Sequence, residues 1–220
     1  MNRFRFAHFA RALFHIHYDV EIKGLKYLHD NKVHLVMPNH PAFIDPLLLF
    51  AECWDVALCP MVDERFFRNR FFLPVLQMLD SVVVPDLEKS RRREDVAQAQ
   101  QLTNIALQSL QAGKDMIFYP SGHVALVPRE VIGNRRLAYE VCREIPDETE
   151  IILVRTTGLE DSLWSKQKTK RLCLRRKVKM ECVEMTAEVK QWATSLDRRS
   201  FNQRLEEWYN HKEDRTELQR

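Results

Sequence analysis

The chain has 220 residues, of which 45% are hydrophobic and 30% are charged, a composition that is ordinary for a globular domain with one sizeable core. Its net charge of +3 is too small to indicate a nucleic-acid-binding protein by itself. No apolar run approaches the roughly 18 residues of a membrane-spanning helix, and the five cysteines lack metal-binding spacing, so we expect a reduced, cytoplasmic location.

Two stretches of the sequence suit a membrane surface. Residues 1–18 combine bulky apolar side chains with arginines, which favours an amphipathic helix that either lies in the headgroup layer or packs on the core. Residues 165–180 contain eight Lys or Arg residues and no acidic residue. Such a stretch suits an anionic surface, although a solvated pair of strands would look the same. We predict a protein that is peripheral on the inner face of the cell membrane, with no nucleic-acid partner.

The rest of the chain alternates between short hydrophobic runs and longer amphipathic stretches. Strands are predicted at 20–22, 32–37, 56–59, 81–85, 115–119 and 150–155. Helices are predicted at 46–54, 63–79, 94–112, 133–143 and 200–211, and a late hairpin at 172–174 and 177–183. This order predicts an α/β fold, a single domain with a mainly parallel central sheet flanked by helices. The domain would span residues 19–211, after the N-terminal helix, and residues 212–220 would form a frayed tail.

A histidine and an aspartate lie at the corner between the second strand and the first helix of this domain. His40 precedes Asp45 by five positions, and Asp45-Pro46 is also typical of a helix start, with Asp as the N-cap. A histidine whose Nδ1–H is held by a carboxylate presents a basic Nε2 to a substrate hydroxyl. The corner therefore predicts a general base, with a core histidine beside a helix cap as the structural alternative.

Other strand ends also carry polar groups, and in a parallel sheet they would meet the corner at one edge. These groups are Tyr119, Pro120, Ser121, Gly122 and His123, Arg155, and Arg91, Arg92 and Arg93. Backbone N–H groups around Gly122 could stabilise an oxyanion, and the arginines could hold a phosphate. Ser121 with His123 is a weak candidate for a nucleophile pair, because the GxSxG elbow is absent.

The motifs resemble those of a known family. Asn39-His40-x4-Asp45 resembles the HxxxxD motif of the glycerolipid acyltransferases, the lysophosphatidate-acyltransferase-like family. Residues 81–86, 117–122 and 151–155 resemble the second, third and fourth blocks of that family, in the same order. Residues 155–162 and 205–210 resemble the acyltransferase domains that are found fused to acyl-ACP synthetases.

The resemblance implies transfer of a fatty acyl group from acyl-CoA or acyl-ACP to a hydroxyl of a lysophospholipid-like acceptor, without a metal or another cofactor. His40 would deprotonate the hydroxyl, and Asp45 would orient His40. Asn39 and the polar strand-end residues named above would contact substrate. An acyl carrier protein is a further candidate partner.

The third block departs from the family pattern. Ser121 stands where the family has Glu, and His123 with Val124 follows the glycine where the family has Arg. The acceptor therefore stays open. Two other functions also remain open, namely a non-catalytic lipid- or acyl-carrier-binding protein of the same fold, and an acyl-thioester hydrolase in which His40 activates water.

Overall fold

A computed structural model describes residues 3–68, 70, 73–84, 96–168 and 170–211. The strands are β1 (Tyr18–Lys23), β2 (Val33–Pro38), β3 (Cys59–Asp63), β4 (Val82–Val84), β5 (Met116–Ile117), β6 (Thr149–Thr157) and β7 (Arg176–Glu184). The helices are α1 (Arg3–His17), α2 (Asp45–Glu52), α3 (Glu64–Phe67), α4 (Leu73–Met78), α5 (Val96–Gln111), α6 (Leu137–Glu144), α7 (Thr186–Ser195) and α8 (Arg198–Asn210), with a short 3-10 helix at Leu25–Leu28. Within these residues, no helix is both long and apolar enough to cross a membrane.

The seven strands form one sheet in the order β1-β7-β6-β2-β5-β3-β4. Every neighbouring pair is parallel except β6 and β7, which are antiparallel. The prediction of a mainly parallel sheet flanked by helices is therefore confirmed. Because β6, β2 and β5 are parallel neighbours, their carboxyl ends lie side by side at one edge of the sheet.

Both faces of the sheet are covered, which explains the almost continuous hydrophobic character of β2 and β6. Leu35 and Met37 of β2 belong to the core that includes residues of α5, α6, α7 and α8. Val36, which lies between them, belongs to the opposite core, together with Leu48 and Leu49 of α2. Successive residues of a strand point to opposite faces, so a buried parallel strand needs apolar residues at every position.

Several local predictions are wrong. No hairpin forms at 172–183, because β7 is one strand that pairs with β1 on one side and β6 on the other. Residues 172–174 are an exposed loop. The strand predicted at 56–59 begins only at Cys59, the helix predicted at 63–79 is divided into α3 and α4, and α7 was not predicted. The frayed tail predicted at 212–220 lies outside the described residues.

A buried histidine joins two acidic residues at the edge of the sheet opposite to His40. His34 is fully buried, and its ring nitrogens lie 3.0 Å from Asp30 Oδ1 and 3.1 Å from Asp115 Oδ1. Glu150 lies close enough for a shared metal site, but it already forms an ion pair with Lys32. Burial by itself would lower the pKa of His34, but Asp115 and Asp30 outweigh it, and the net pKa is raised.

We expect His34 to make stability depend on pH. Because the pKa of His34 is raised in the folded protein, the ionised ring contributes its full share of the free energy of unfolding below the unfolded-state pKa of about 6.5. This contribution is lost as pH rises through the folded-state pKa. The wild type should therefore lose stability relative to His34→Gln as pH rises. Urea unfolding of both proteins from about pH 6 to about pH 9 measures this difference, and a constant difference would contradict the expectation.

Candidate active site

Asn39 joins the carboxyl ends of β2 and β6. Its side-chain NH2 donates to the backbone oxygen of Thr156 at 2.9 Å, and its Oδ1 accepts from the Thr156 N–H at 2.6 Å. Both polar atoms of the amide form these bonds, so Asn39 clamps the two strand ends together, and its contact with substrate stays a prediction. The clamp holds the start of the loop that carries His40.

The His40 side chain is mostly buried, with 15% of it exposed. Its Nδ1 is 2.9 Å from Asp45 Oδ2. That same oxygen accepts the Ala42 N–H at 3.1 Å, so Asp45 acts as an acceptor and Nδ1 of His40 carries the proton. Among the described residues, nothing forms a hydrogen bond with Nε2. His40 is thus in the tautomer whose Nε2 can accept a proton.

Asp45 is held by three donors and does not cap α2. Besides His40 and Ala42, the Tyr119 hydroxyl donates to Asp45 Oδ1 at 2.9 Å. Asp45 is itself the first residue of α2, and the residue at the cap position, Ile44, makes no side-chain cap bond. The predicted N-cap role is therefore wrong, because both carboxylate oxygens turn back toward the corner. Pro46 does lie in the first turn of α2, as expected.

Tyr119 helps to position the His40–Asp45 pair. Its predicted contact with substrate stays a prediction. Its ring lies 4.2 Å from the His40 ring, centroid to centroid, at an angle of 31°. Burial and the nearby Asp45 carboxylate raise the pKa of the Tyr119 hydroxyl well above its ordinary value. The hydroxyl therefore stays protonated at neutral pH and remains a donor to Asp45.

Glu130 is a second carboxyl group beside His40 that the sequence did not reveal. It is 3% exposed, and its Oε2 accepts the backbone N–H of His40 at 3.1 Å. The backbone oxygen of His40 accepts from the Ala125 N–H at 2.8 Å. The segment that contains Ala125 and Glu130 therefore holds both the N–H and the C=O group of His40. Burial raises the pKa of the Glu130 carboxyl. No motif marks Glu130, which stands between an arginine and two apolar residues.

A row of polar residues on α8 anchors the loop that carries Glu130. Asn210 exchanges two hydrogen bonds with the backbone of Glu130, at 2.8 and 2.9 Å. Glu206 accepts from the N–H groups of Ile132 and Gly133, and Asn202 donates to two backbone oxygens of the same loop. These three residues are four positions apart, so they lie on one face of the helix. That spacing was the available sequence signal.

The turn after β5 satisfies its own polar groups. The Gly122 N–H donates to the Tyr119 backbone oxygen at 2.9 Å, so this group is not a free oxyanion donor in this state. Ser121 Oγ donates to the His123 backbone oxygen, and His123 Nδ1 donates to that of Ser121. The two side chains therefore do not form a nucleophile pair. Pro120 is buried in the same turn.

Arg155 is engaged away from His40. Its guanidinium forms an ion pair with Glu181 of β7 at 2.7 Å, donates to the backbone oxygen of His211 at 2.6 Å, and lies 4.9 Å from the centre of the Trp208 ring. These contacts fasten the end of α8 to the sheet, so the structure gives no support to a substrate role for Arg155. Arg91, Arg92 and Arg93 lie outside the described residues, and their role stays a prediction.

The corner can therefore accept a proton at Nε2 of His40, with Asp45 stabilising the imidazolium that results. A reacting hydroxyl placed against Nε2 would lie beyond the carboxyl edge of β2, where α/β folds place ligands.

Comparisons with known proteins agree with the fold. No protein-family model matches the chain, and no curated protein matches it in sequence. Among solved structures, it is similar to the 1-acyl-sn-glycerophosphate (LPA) acyltransferase PlsC from Thermotoga maritima, with a TM-score of 0.56 and 12% sequence identity. The similarity covers 96% of this chain and 81% of the PlsC chain. The chain thus has the lysophosphatidate-acyltransferase-like fold that its motifs predicted.

Proposed function

We propose that this protein is an acyltransferase that moves a fatty acyl group from a thioester donor to a hydroxyl of a lysophospholipid-like acceptor. The observation that carries the proposal is the His40–Asp45 pair, oriented for proton transfer at the carboxyl edge of a sheet whose fold is similar to that of PlsC. PlsC is a 1-acyl-sn-glycerophosphate acyltransferase, and a glycerolipid acceptor is our proposal for this chain.

The proposed reaction is a single acyl transfer without a covalent enzyme intermediate. His40 Nε2 takes the proton of the acceptor hydroxyl while its oxygen attacks the thioester carbonyl carbon. The tetrahedral intermediate then expels the donor thiolate, so that a C–O bond replaces the C–S bond, and the imidazolium returns its proton to the sulfur. Asp45 keeps Nδ1 protonated and stabilises the imidazolium. No metal or other cofactor is needed for these steps.

The described residues indicate less about the headgroup of the acceptor than about the proton transfer. In this state, Ser121 and His123 bond to backbone atoms of their own turn, and Arg155 bonds to Glu181. Arg91, Arg92 and Arg93 remain the candidates for holding a headgroup phosphate. The donor, acyl-CoA or acyl-ACP, and the location on the inner face of the cell membrane also remain proposals.

Product analysis tests the proposed function. Purified protein is offered labelled acyl-CoA or acyl-ACP, with lysophosphatidate or a lysophosphatidylethanolamine in mixed micelles. We expect label to enter a diacyl phospholipid in an acceptor-dependent manner. Free fatty acid alone, whichever acceptor is offered, would identify a hydrolase. Binding of the donor without consumption of the thioester would identify a non-catalytic binding protein.

A further inference from the structure

The Glu130 carboxyl is buried beside His40, and one of its oxygens is not used. Oε2 accepts the His40 backbone N–H at 3.1 Å, but Oε1, which is also buried, accepts no hydrogen bond from the part of the chain that the structure describes. The hydroxyl of Ser121, which lies nearby, donates to the His123 backbone oxygen. A buried carboxyl with an unused oxygen costs folding stability, because the protein does not replace the hydrogen bonds that water would supply. Folding stability therefore does not explain why the chain has a glutamate here.

Helix α8 fixes the position of Glu130 relative to His40. Asn210 bonds both the N–H and the C=O group of Glu130, at 2.8 and 2.9 Å. The preceding residue, Tyr209, is buried and donates from its hydroxyl to the backbone oxygen of Met37 at 2.7 Å. Met37 belongs to β2, the strand that leads to His40. The same helix thus holds the strand that carries the N–H donor and the loop that carries its acceptor.

Among the described groups whose charge interacts with Glu130, only His40 can become a cation. The others are Asp45, Tyr119 and Tyr209. Burial raises the pKa of both tyrosine hydroxyls well above the ordinary value, so these groups stay neutral at neutral pH. Burial also raises the pKa of Glu130, whereas protonated His40 lowers it. Because the attraction between two charges is mutual, an ionised Glu130 stabilises the imidazolium that forms when His40 takes a proton.

We propose that Glu130 is a positioning residue for the general base, which fixes the backbone of His40 and, together with Asp45, stabilises its imidazolium by charge. The inference rests on the proposed function, in which His40 takes a proton from an acceptor hydroxyl. Asp45 bonds the ring itself, whereas Glu130 acts through the backbone N–H and through space, so the two carboxyls have different roles. A purely structural clamp would need only the hydrogen bond, which a glutamine can also accept.

Titration of the His40 ring by NMR tests the charge of Glu130 without requiring turnover. The full chain is labelled with 15N-histidine, and the His40 signals are identified by their absence from His40→Ala. Glu130→Gln keeps an acceptor for the His40 N–H and removes the charge. We expect the ring to lose its proton at lower pH than in the wild type, with the protonation equilibrium changed roughly threefold or more.

Glu206→Gln is the matched control for the titration. Glu206 accepts from the N–H groups of Ile132 and Gly133, so it bonds the same loop as Glu130 does but not His40. Its neutralisation should leave the titration of the His40 ring unchanged.

Stability and rate separate the proposed role from a purely structural one. Burial raises the folded-state pKa of Glu130 above its unfolded value, so ionisation costs folding stability as pH rises through the folded-state pKa, and glutamine avoids this cost. The thermal midpoint of Glu130→Gln at about pH 8 should therefore equal or exceed that of the wild type, while kcat falls roughly threefold or more. Glu130→Ala also leaves the His40 N–H without its acceptor, so its kcat should fall by about tenfold or more.

Three outcomes would overturn the inference. One is an unchanged titration of the His40 ring in Glu130→Gln. Another is wild-type kcat for Glu130→Gln in an enzyme that His40→Ala inactivates. The third is a thermal midpoint of Glu130→Gln below that of the wild type, which would assign Glu130 to the stability of the loop. If the wild type transfers no acyl group, the proposed function fails, and the titration still decides whether Glu130 acts on His40.

Discussion

Substitution His40→Ala should abolish acyl transfer while leaving the fold intact. The 2.9 Å contact of Nδ1 with Asp45 orients the ring, so that its basic Nε2 is available for a substrate proton at the carboxyl edge of β2. Loss of a positioned general base costs on the order of 10²–10⁴ in rate, so we expect a loss of that size in kcat/KM. The measurement is product formation with the donor and acceptor that the wild type prefers.

The loss must be separated from damage to the corner. His40 contributes its backbone N–H and oxygen to the bonds with Glu130 and Ala125, and alanine keeps both. Far-UV circular dichroism and the thermal midpoint should therefore remain close to those of the wild type. His29→Ala is a matched control, since His29 is exposed and bonds Asp55 at the opposite edge of the sheet. Near-normal turnover by His40→Ala would rule out the proposed mechanism.

Substitution Asp45→Asn should lower kcat on the order of 10²–10⁴ while preserving the volume of the side chain. The carboxylate accepts bonds from His40, Ala42 and Tyr119, and the amide offers one acceptor in place of two. If the NH2 group faces His40, it donates to Nδ1 and moves the ring proton to Nε2, which removes the base. If it faces Tyr119, the tautomer survives, but the imidazolium loses its negative partner.

A conservative variant distinguishes these effects from simple loosening of the site. Tyr119→Phe removes only the 2.9 Å bond to Asp45 Oδ1 and leaves the carboxylate and His40 in contact. We expect a smaller loss of kcat for Tyr119→Phe than for Asp45→Asn. Equal losses would mean that Asp45 acts by holding the turn and not by its charge. Retention of most activity by Asp45→Asn would remove Asp45 from the mechanism.

The site was predicted in part, and the parts that were missed have a common cause. His40 and Asp45 are five positions apart, so the loop alone can bring them together. Glu130 bonds His40 across 90 positions, and Asn39 bonds Thr156 across 117, and both contacts depend on which strands and loops are neighbours. Arg155 shows the same limit. Its position near the end of β6 follows from the sequence, but its contacts with Glu181 and Trp208 depend on how β7 and α8 pack beside that strand.

The sequence by itself determined the class of the fold, the order of most strands and helices, and the His–Asp corner with its predicted chemistry. These follow from residue periodicity and from contacts within a few positions, which a single sequence carries directly. Only the tertiary structure decided that Glu130 supports His40 and that Gly122 and Arg155 are already engaged. It also decided that α1 exposes Phe9, Leu13 and Ile16 while Phe14 packs against the core. The physical reason is that an amphipathic pattern defines the faces of a helix but not which residues contact the protein. Arg11 and His15 form ion pairs with the buried carboxylate of Glu52, which lies more than thirty positions away along the chain.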